Sequence, residues 1–244
     1  MASPARRSQL LYLIVAVAVA LFVAHRVPYG WYVAYPFTLL ATWVHECGHA
    51  LAAVLCGGHV FGLHIYASTA GDAVITSFGD WRDGAVCAAG LIAPPVTGAL
   101  LVLVAAGQRR ATAALLLCAL LVAATTLLLV RSLFGGLVLG GLSVVLALVA
   151  VRGGPGLRLL TAQLLSVELG LDWIARVDYF FTDHLGDDLQ RSSDVATLAR
   201  ATGGVLPYWA WGAILAAFSS LVMVLALRRA IRRAAESDRF ARAT

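Results

Sequence analysis

Residues 31–56 read WYVAYPFTLLATWVHECGHALAAVLC, an almost wholly apolar run with His45-Glu46-Cys47-Gly48-His49 set inside it. Such a run is long enough for a helix that crosses a bilayer, which takes about 20 apolar residues. On a helix, positions i and i+4 lie about 40° apart around the axis, so His45 and His49 project from one face, one turn apart. Two imidazoles placed in that way can bind a single zinc ion. Glu46 lies about 100° round from His45, beside such a metal rather than on it. That is where a carboxylate takes a proton from an attacking water. The plain alternative is a pair of structural histidines satisfied by neighbouring carbonyls. Imidazoles and a carboxylate at membrane depth are costly without a function, which weighs against it.

Composition sets the class. The chain is 61% hydrophobic and 13% charged, against about 25% charged residues in a soluble domain, and its mean hydropathy is +0.86. Several apolar runs reach spanning length, so the expected fold is an all-α polytopic membrane protein forming a single domain over residues 1–244. The net charge of +5 comes from arginine alone, as the sequence holds no lysine. The cluster Arg228-Arg229-Ala230-Ile231-Arg232-Arg233 follows an apolar run, a pattern that faces the cytoplasm and anionic lipid. It has no fold around it that would read nucleic acid, so nucleic acid is not an expected partner. Cys47, Cys56, Cys87 and Cys118 lie in apolar segments without framework spacing and read as small buried hydrophobes.

Working outward, about 6–7 spans are expected, near 9–25, 36–56, 86–106, 111–130, 133–151, 157–181 and 207–227. Arg6-Arg7 and the run after it resemble a signal peptide, but no small-residue cleavage pattern follows, and an uncleaved first span is the reading. Arg6-Arg7 argues for a cytoplasmic N-terminus and the larger basic tail for a cytoplasmic C-terminus; an odd number of spans cannot satisfy both. The span at 86–106 is interrupted by Pro94-Pro95, and those at 111–130 and 133–151 hold no acid, base or histidine. After the stop signal Gly57-Gly58, residues 59–78 alternate like two strands around Ser68-Thr69-Ala70-Gly71-Asp72. They read as a small β-hairpin beside the metal helix, with an edge that an extended substrate strand can complete.

The run at 157–181 is the second informative one. Glu168, Asp172 and Arg176 are spaced i, i+4, i+8 and share a face, whereas Asp178 lies on another. An acid at this depth either pairs or binds something. Asp172 therefore forms an ion pair with Arg176 or serves as a ligand. An acid-rich loop is expected over 182–200, in which Ser192 or Ser193 can cap a short helix before Asp194.

Together these pieces resemble the site-2 protease class of intramembrane zinc metallopeptidases, in its small bacterial branch without a PDZ domain. The resemblance rests on His45-Glu46-Cys47-Gly48-His49-Ala50, Gly57-Gly58-His59-Val60, Ala88-Ala89-Gly90-Leu91-Ile92-Ala93-Pro94, and Glu168 to Asp172 with the later Ser193-Asp194. It implies a Zn2+ held by His45, His49 and an acid from a later helix, with Glu46 as general base. The family's third ligand sits in a Leu-Asp-Gly motif; here Leu171-Asp172 is followed by Trp173. Asp172 is the expected ligand for its depth, followed by Asp178 and then Asp194. The implied activity is zinc-dependent hydrolysis of a peptide bond, within or near the bilayer, of a membrane-protein substrate. The expected location is the bacterial cell membrane. The alternatives are a catalytically silent zinc-binding membrane protein and a transporter or ion-pathway protein that uses the buried histidines and acids. No internal repeat of the transporter kind supports the last.

Overall fold

A computed structural model of the chain describes residues 29–105, 108–185 and 188–243, with Val19 and Val27. The expected first span at 9–25 lies, but for Val19, outside the described residues. The rest is mostly helical. In chain order come α1 (Gly30–Leu55), β1 (Val60–Ile65), β2 (Gly71–Ile75), α2 (Trp81–Val104), α3 (Gln108–Leu128) and α4 (Leu133–Arg152). They are followed by α5 (Pro155–Ala175), α6 (Val177–Phe180), β3 (His184–Leu185), β4 (Asp188–Ser192), α7 (Asp194–Ala201) and α8 (Tyr208–Ala243).

Among the described residues four helical stretches are long and apolar enough to cross a membrane: Trp81–Val104, Arg109–Leu128, Leu133–Arg152 and Tyr208–Arg233. Such helices suit a bilayer because every backbone group inside them is satisfied within the segment. Their outer faces carry exposed leucines and valines, among them Leu117, Leu120, Leu127, Leu133, Leu137 and Val144. Apolar surface on that scale belongs against lipid rather than water.

Helix α2 is the hub, packed against α1, α5, α7 and α8, while α3 and α4 form a pair that leans on α5 and β1. Small residues make the hub possible. A Cβ on Gly98 would fall 2.7 Å from the Ser166 carbonyl oxygen and on the Gly170 backbone, so α2 and α5 approach almost backbone to backbone. The interruption expected at Pro94-Pro95 is absent, and α2 runs through both prolines. Proline lacks an N–H, which leaves the carbonyls of Gly90 and Leu91 without their usual intrahelical donors. Flanking packing compensates, with Leu91 and Pro94 buried. α2 also starts five residues before the expected 86, at Trp81, because Asp80 caps it by accepting from the Arg82 N–H at 2.9 Å.

The hairpin lies where the alternation placed it, with β1 antiparallel to β2 and Leu63 opposite Ala73. Its two edges differ. Leu63 N–H donates to the Leu129 carbonyl and the Leu63 carbonyl accepts from Arg131 N–H, both at 2.8 Å. Ser132 Oγ closes the same edge by bonding the Ile65 N–H and carbonyl at 2.9 and 3.0 Å. β1 is therefore covered. Because the groups of Leu63 point away from β2, Leu63–Ala73 is a non-hydrogen-bonded pair, and the N–H and C=O of Ala73 point out of the far edge of β2. That edge pairs with no strand among the described residues and is the free edge of β2 in that sense. The turn is strapped onto α1: Tyr35 Oη donates to the Ala67 carbonyl at 2.6 Å and Thr42 Oγ1 to the Thr69 carbonyl at 2.7 Å.

Two expectations need correction. The run at 157–181 is not one helix; it breaks at Arg176 (φ −111°, ψ 27°), which separates α5 from α6. The acid-rich segment at 182–200 holds the short helix expected after Ser192-Ser193, α7, but the residues before it form the short antiparallel pair β3–β4 rather than plain loop. Ser193 caps α7, its Oγ accepting from the Ala196 N–H at 3.2 Å.

Candidate metal centre

His45 and His49 stand one turn apart on α1, their Nε2 atoms 2.9 Å from each other. The carboxylate that meets them is Asp194, the first residue of α7. Its Oδ2 lies 3.1 Å from His45 Nε2 and 3.3 Å from His49 Nε2. His49 Nδ1 is 2.9 Å from the Val86 carbonyl of α2. A carbonyl only accepts, so Nδ1 carries the proton and Nε2 of a neutral imidazole turns its lone pair toward Asp194. Metal-bound histidines are oriented in this way, by a carbonyl holding the other ring nitrogen.

Electron pairs converging so closely need a cation between them, either a proton or a metal ion. The donor set fits zinc: bonds of about 2.0–2.1 Å in a tetrahedron put ligand atoms about 3.3 Å apart. The observed separations of 2.9, 3.1 and 3.3 Å are near that value. His45, His49 and Asp194 can therefore hold a metal ion. Burial pushes the Asp194 carboxyl up, but His49 and His45 beside it hold it well below the usual carboxylate range. Ligands to a metal must be deprotonated.

The walls of the site are as specific as the ligands. A Cβ on Gly90 of α2 would fall on the His49 ring. A Cβ on Gly71, where β2 begins, would fall on the Glu46 carboxylate. Glu46 is buried and follows His45 directly along α1. So the hairpin closes over the carboxylate next to the histidines, while α2 closes over His49.

Asp172, the expected third ligand, is elsewhere. Its Oδ1 accepts from Arg176 Nε at 2.9 Å, the ion pair that the i, i+4 spacing allowed. Arg176 Nη2 then donates to Thr42 Oγ1 at 2.7 Å, and Thr42 in turn holds the Thr69 carbonyl of the hairpin turn. Asp178 is exposed on α6. The convergence of Asp194 on the histidines thus differs from the order in which the sequence ranks the three acids. Tyr179 escaped the sequence reading altogether, although its hydroxyl lies 3.0 Å from Asp194 Oδ2. For Asp194 a signal existed, because Ser-Ser-Asp marks a helix start that presents an acid at its first position.

The model of the family described as Peptidase M50B-like matches residues 12–226. The chain belongs to that family. The match covers all the residues just described and supports the site-2 protease class. No match was found among curated proteins or among solved structures. Family and helices together make this M50B-like chain an integral membrane protein of a peptidase family, with a histidine–histidine–aspartate group able to bind metal.

Proposed function

We propose that this chain is a zinc-dependent intramembrane endopeptidase, hydrolysing a peptide bond within or near the bilayer of a membrane-protein substrate. The observation that carries the reading is the meeting of Asp194 Oδ2 with both histidine Nε2 atoms while Glu46, one residue along α1, is buried beside them. In this reading α1 (26 residues) and α5 (21 residues) also lie at membrane depth, their polar residues turned to the protein interior. His45, His49 and Asp194 are the zinc ligands and Glu46 is the general base.

Bound there, zinc supplies Lewis acidity that lets water ionise at roughly pH 7 and stabilises charge on a carbonyl oxygen. Glu46 accepts the proton of the attacking water and returns it to the leaving amine. Gly71 keeps that carboxylate from swinging away, for the hairpin backbone sits directly on it. A substrate helix has its carbonyls engaged in hydrogen bonds and must be drawn out before attack. The free edge of β2, beginning at Gly71 against Glu46, is the surface on which an extended strand is held by backbone hydrogen bonds. The covered edge of β1 leaves β2 as the side of the hairpin open to such pairing.

The test is to purify the protein, measure bound zinc, and follow cleavage of membrane-protein substrates by the wild type and by Glu46→Ala. Expected are stoichiometric zinc in both and cleavage by the wild type alone. Normal cleavage by Glu46→Ala would end the mechanism. Tight zinc without cleavage of any substrate in a broad panel would favour a silent zinc-binding protein instead.

A further inference from the structure

Tyr179 touches the proposed centre without belonging to the ligand set. Its hydroxyl is 3.0 Å from Asp194 Oδ2, the oxygen that faces both histidines. A phenol beside an ionised carboxylate donates its proton. Its ring also meets His45 edge-on, with centroids 6.2 Å apart and planes at 78°. One side chain therefore contacts a ligand from α7 and a ligand from α1.

The placement is built from both sides. Helix α5 stops at Arg176, and the turn there swings α6 so that Tyr179 looks toward α7. Phe180, the next residue, is buried in a cluster with Leu91, Val195 and Leu215. Its carbonyl lies against Gly212 of α8, where a Cβ would collide with it. Further along, the Thr182 carbonyl accepts from Ser193 Oγ at 2.5 Å and the Asp183 carbonyl from Ser193 N–H at 3.0 Å. The strand of chain that carries the phenol and the one that carries the carboxylate are thus stapled together within a few residues of each.

Asp194 needs such a partner. As the first residue of α7 it stands at the N-terminal, positive end of that helix, which attracts a carboxylate. Folded back onto that end, the side chain would leave the histidines. We propose that Tyr179 is a positioning residue: by donating to Oδ2 it holds the Asp194 carboxylate facing His45 and His49, and so sets the affinity of the metal site. The proposal rests on the reading of those three residues as zinc ligands. It assigns the hydroxyl no part in proton transfer.

Y179F removes the hydroxyl and keeps the ring and its packing. With full-length protein in detergent, zinc affinity is measured by competition with a chelator, and the visible bands of the Co2+-loaded protein report ligand geometry. Loss of an outer partner of a metal ligand costs roughly 10–100-fold in affinity, and Y179F is expected to weaken zinc by that factor and to shift the Co2+ bands. The metal-free variant is expected to unfold at the same temperature as the metal-free wild type. A wild type that binds no zinc overturns the metal reading itself. A wild type that binds zinc with Y179F equally tight and spectrally identical overturns the role of Tyr179 alone. Unchanged affinity with slowed cleavage also overturns it, because the hydroxyl would then act on substrate.

Discussion

At the scale of single residues, Asp172 and Asp194, one on each side of Tyr179 in the chain, separate by what faces them. Asp194 has two imidazole nitrogens within 3.3 Å, whereas Asp172 has a guanidinium at 2.9 Å. The first arrangement can hold a metal ion; the second is already neutralised. Asp194→Asn is therefore expected to lose stoichiometric zinc, and Asp172→Asn to keep it, as read by metal analysis after desalting. Asp172→Asn has a different cost, since it leaves Arg176 half-paired in a largely buried network, and breaking such a pair costs up to about 3–5 kcal/mol. A fall in thermal stability with zinc retained is its expected signature. Equal zinc loss in both variants would return Asp172 to the ligand set. Glu46→Gln keeps the size of the side chain and removes the base; cleavage is expected to fall by at least about 10²–10⁴-fold with zinc content unchanged.

At the scale of elements, helices and hairpin were legible in the sequence to the extent that their signals are local. The histidine pair follows from a four-residue spacing, the hairpin from alternation around a polar turn, and the cap of α7 from Ser193 before Asp194. The partner of the histidines was not local. It lies 149 residues from His45 along the chain, and only the packing of α7 on α2 brings it there. Asp172 drew the ligand reading because it sits among apolar residues in a Leu-Asp pair; its own i, i+4 arginine was the competing signal, and that contact is the one that forms. The break at Arg176 was hidden too, because no glycine or proline marks it. What the sequence could not show about the hairpin was which edge stays open, as the cover of β1 comes from the Leu129–Arg131 segment after α3. That asymmetry gives a test. Ala73→Pro deletes an N–H that points out of the free edge of β2 and leaves the pairing with β1 alone. Cleavage is expected to drop while zinc content and the fold, read by circular dichroism, stay as in the wild type. Full activity in Ala73→Pro would remove β2 as the docking strand.

At the scale of the whole molecule, the candidate metal centre joins distant parts of the chain, and a bound ion would clasp them together. His45 and His49 come from α1, Asp194 from α7, and α2 lies between them as the shared floor, with the Val86 carbonyl holding His49 and the Gly90 backbone against its ring. An ion bound to all three ligands in the folded state, and to none of them together in the unfolded chain, stabilises the fold by mass action. At a free zinc concentration 100 times the dissociation constant this amounts to about 2.7 kcal/mol. The wild-type melting temperature is therefore expected to rise with added zinc and to fall on treatment with a chelator. Asp194→Asn should show neither shift, because two imidazoles on one helix cannot join α1 to α7. Glu46→Gln should show both in full, since its carboxylate stands beside the clasp and not in it. A zinc-dependent rise that survives Asp194→Asn unchanged would mean that the ion closes on some other group, and the clasp would have to be redrawn from the remaining acids of α5.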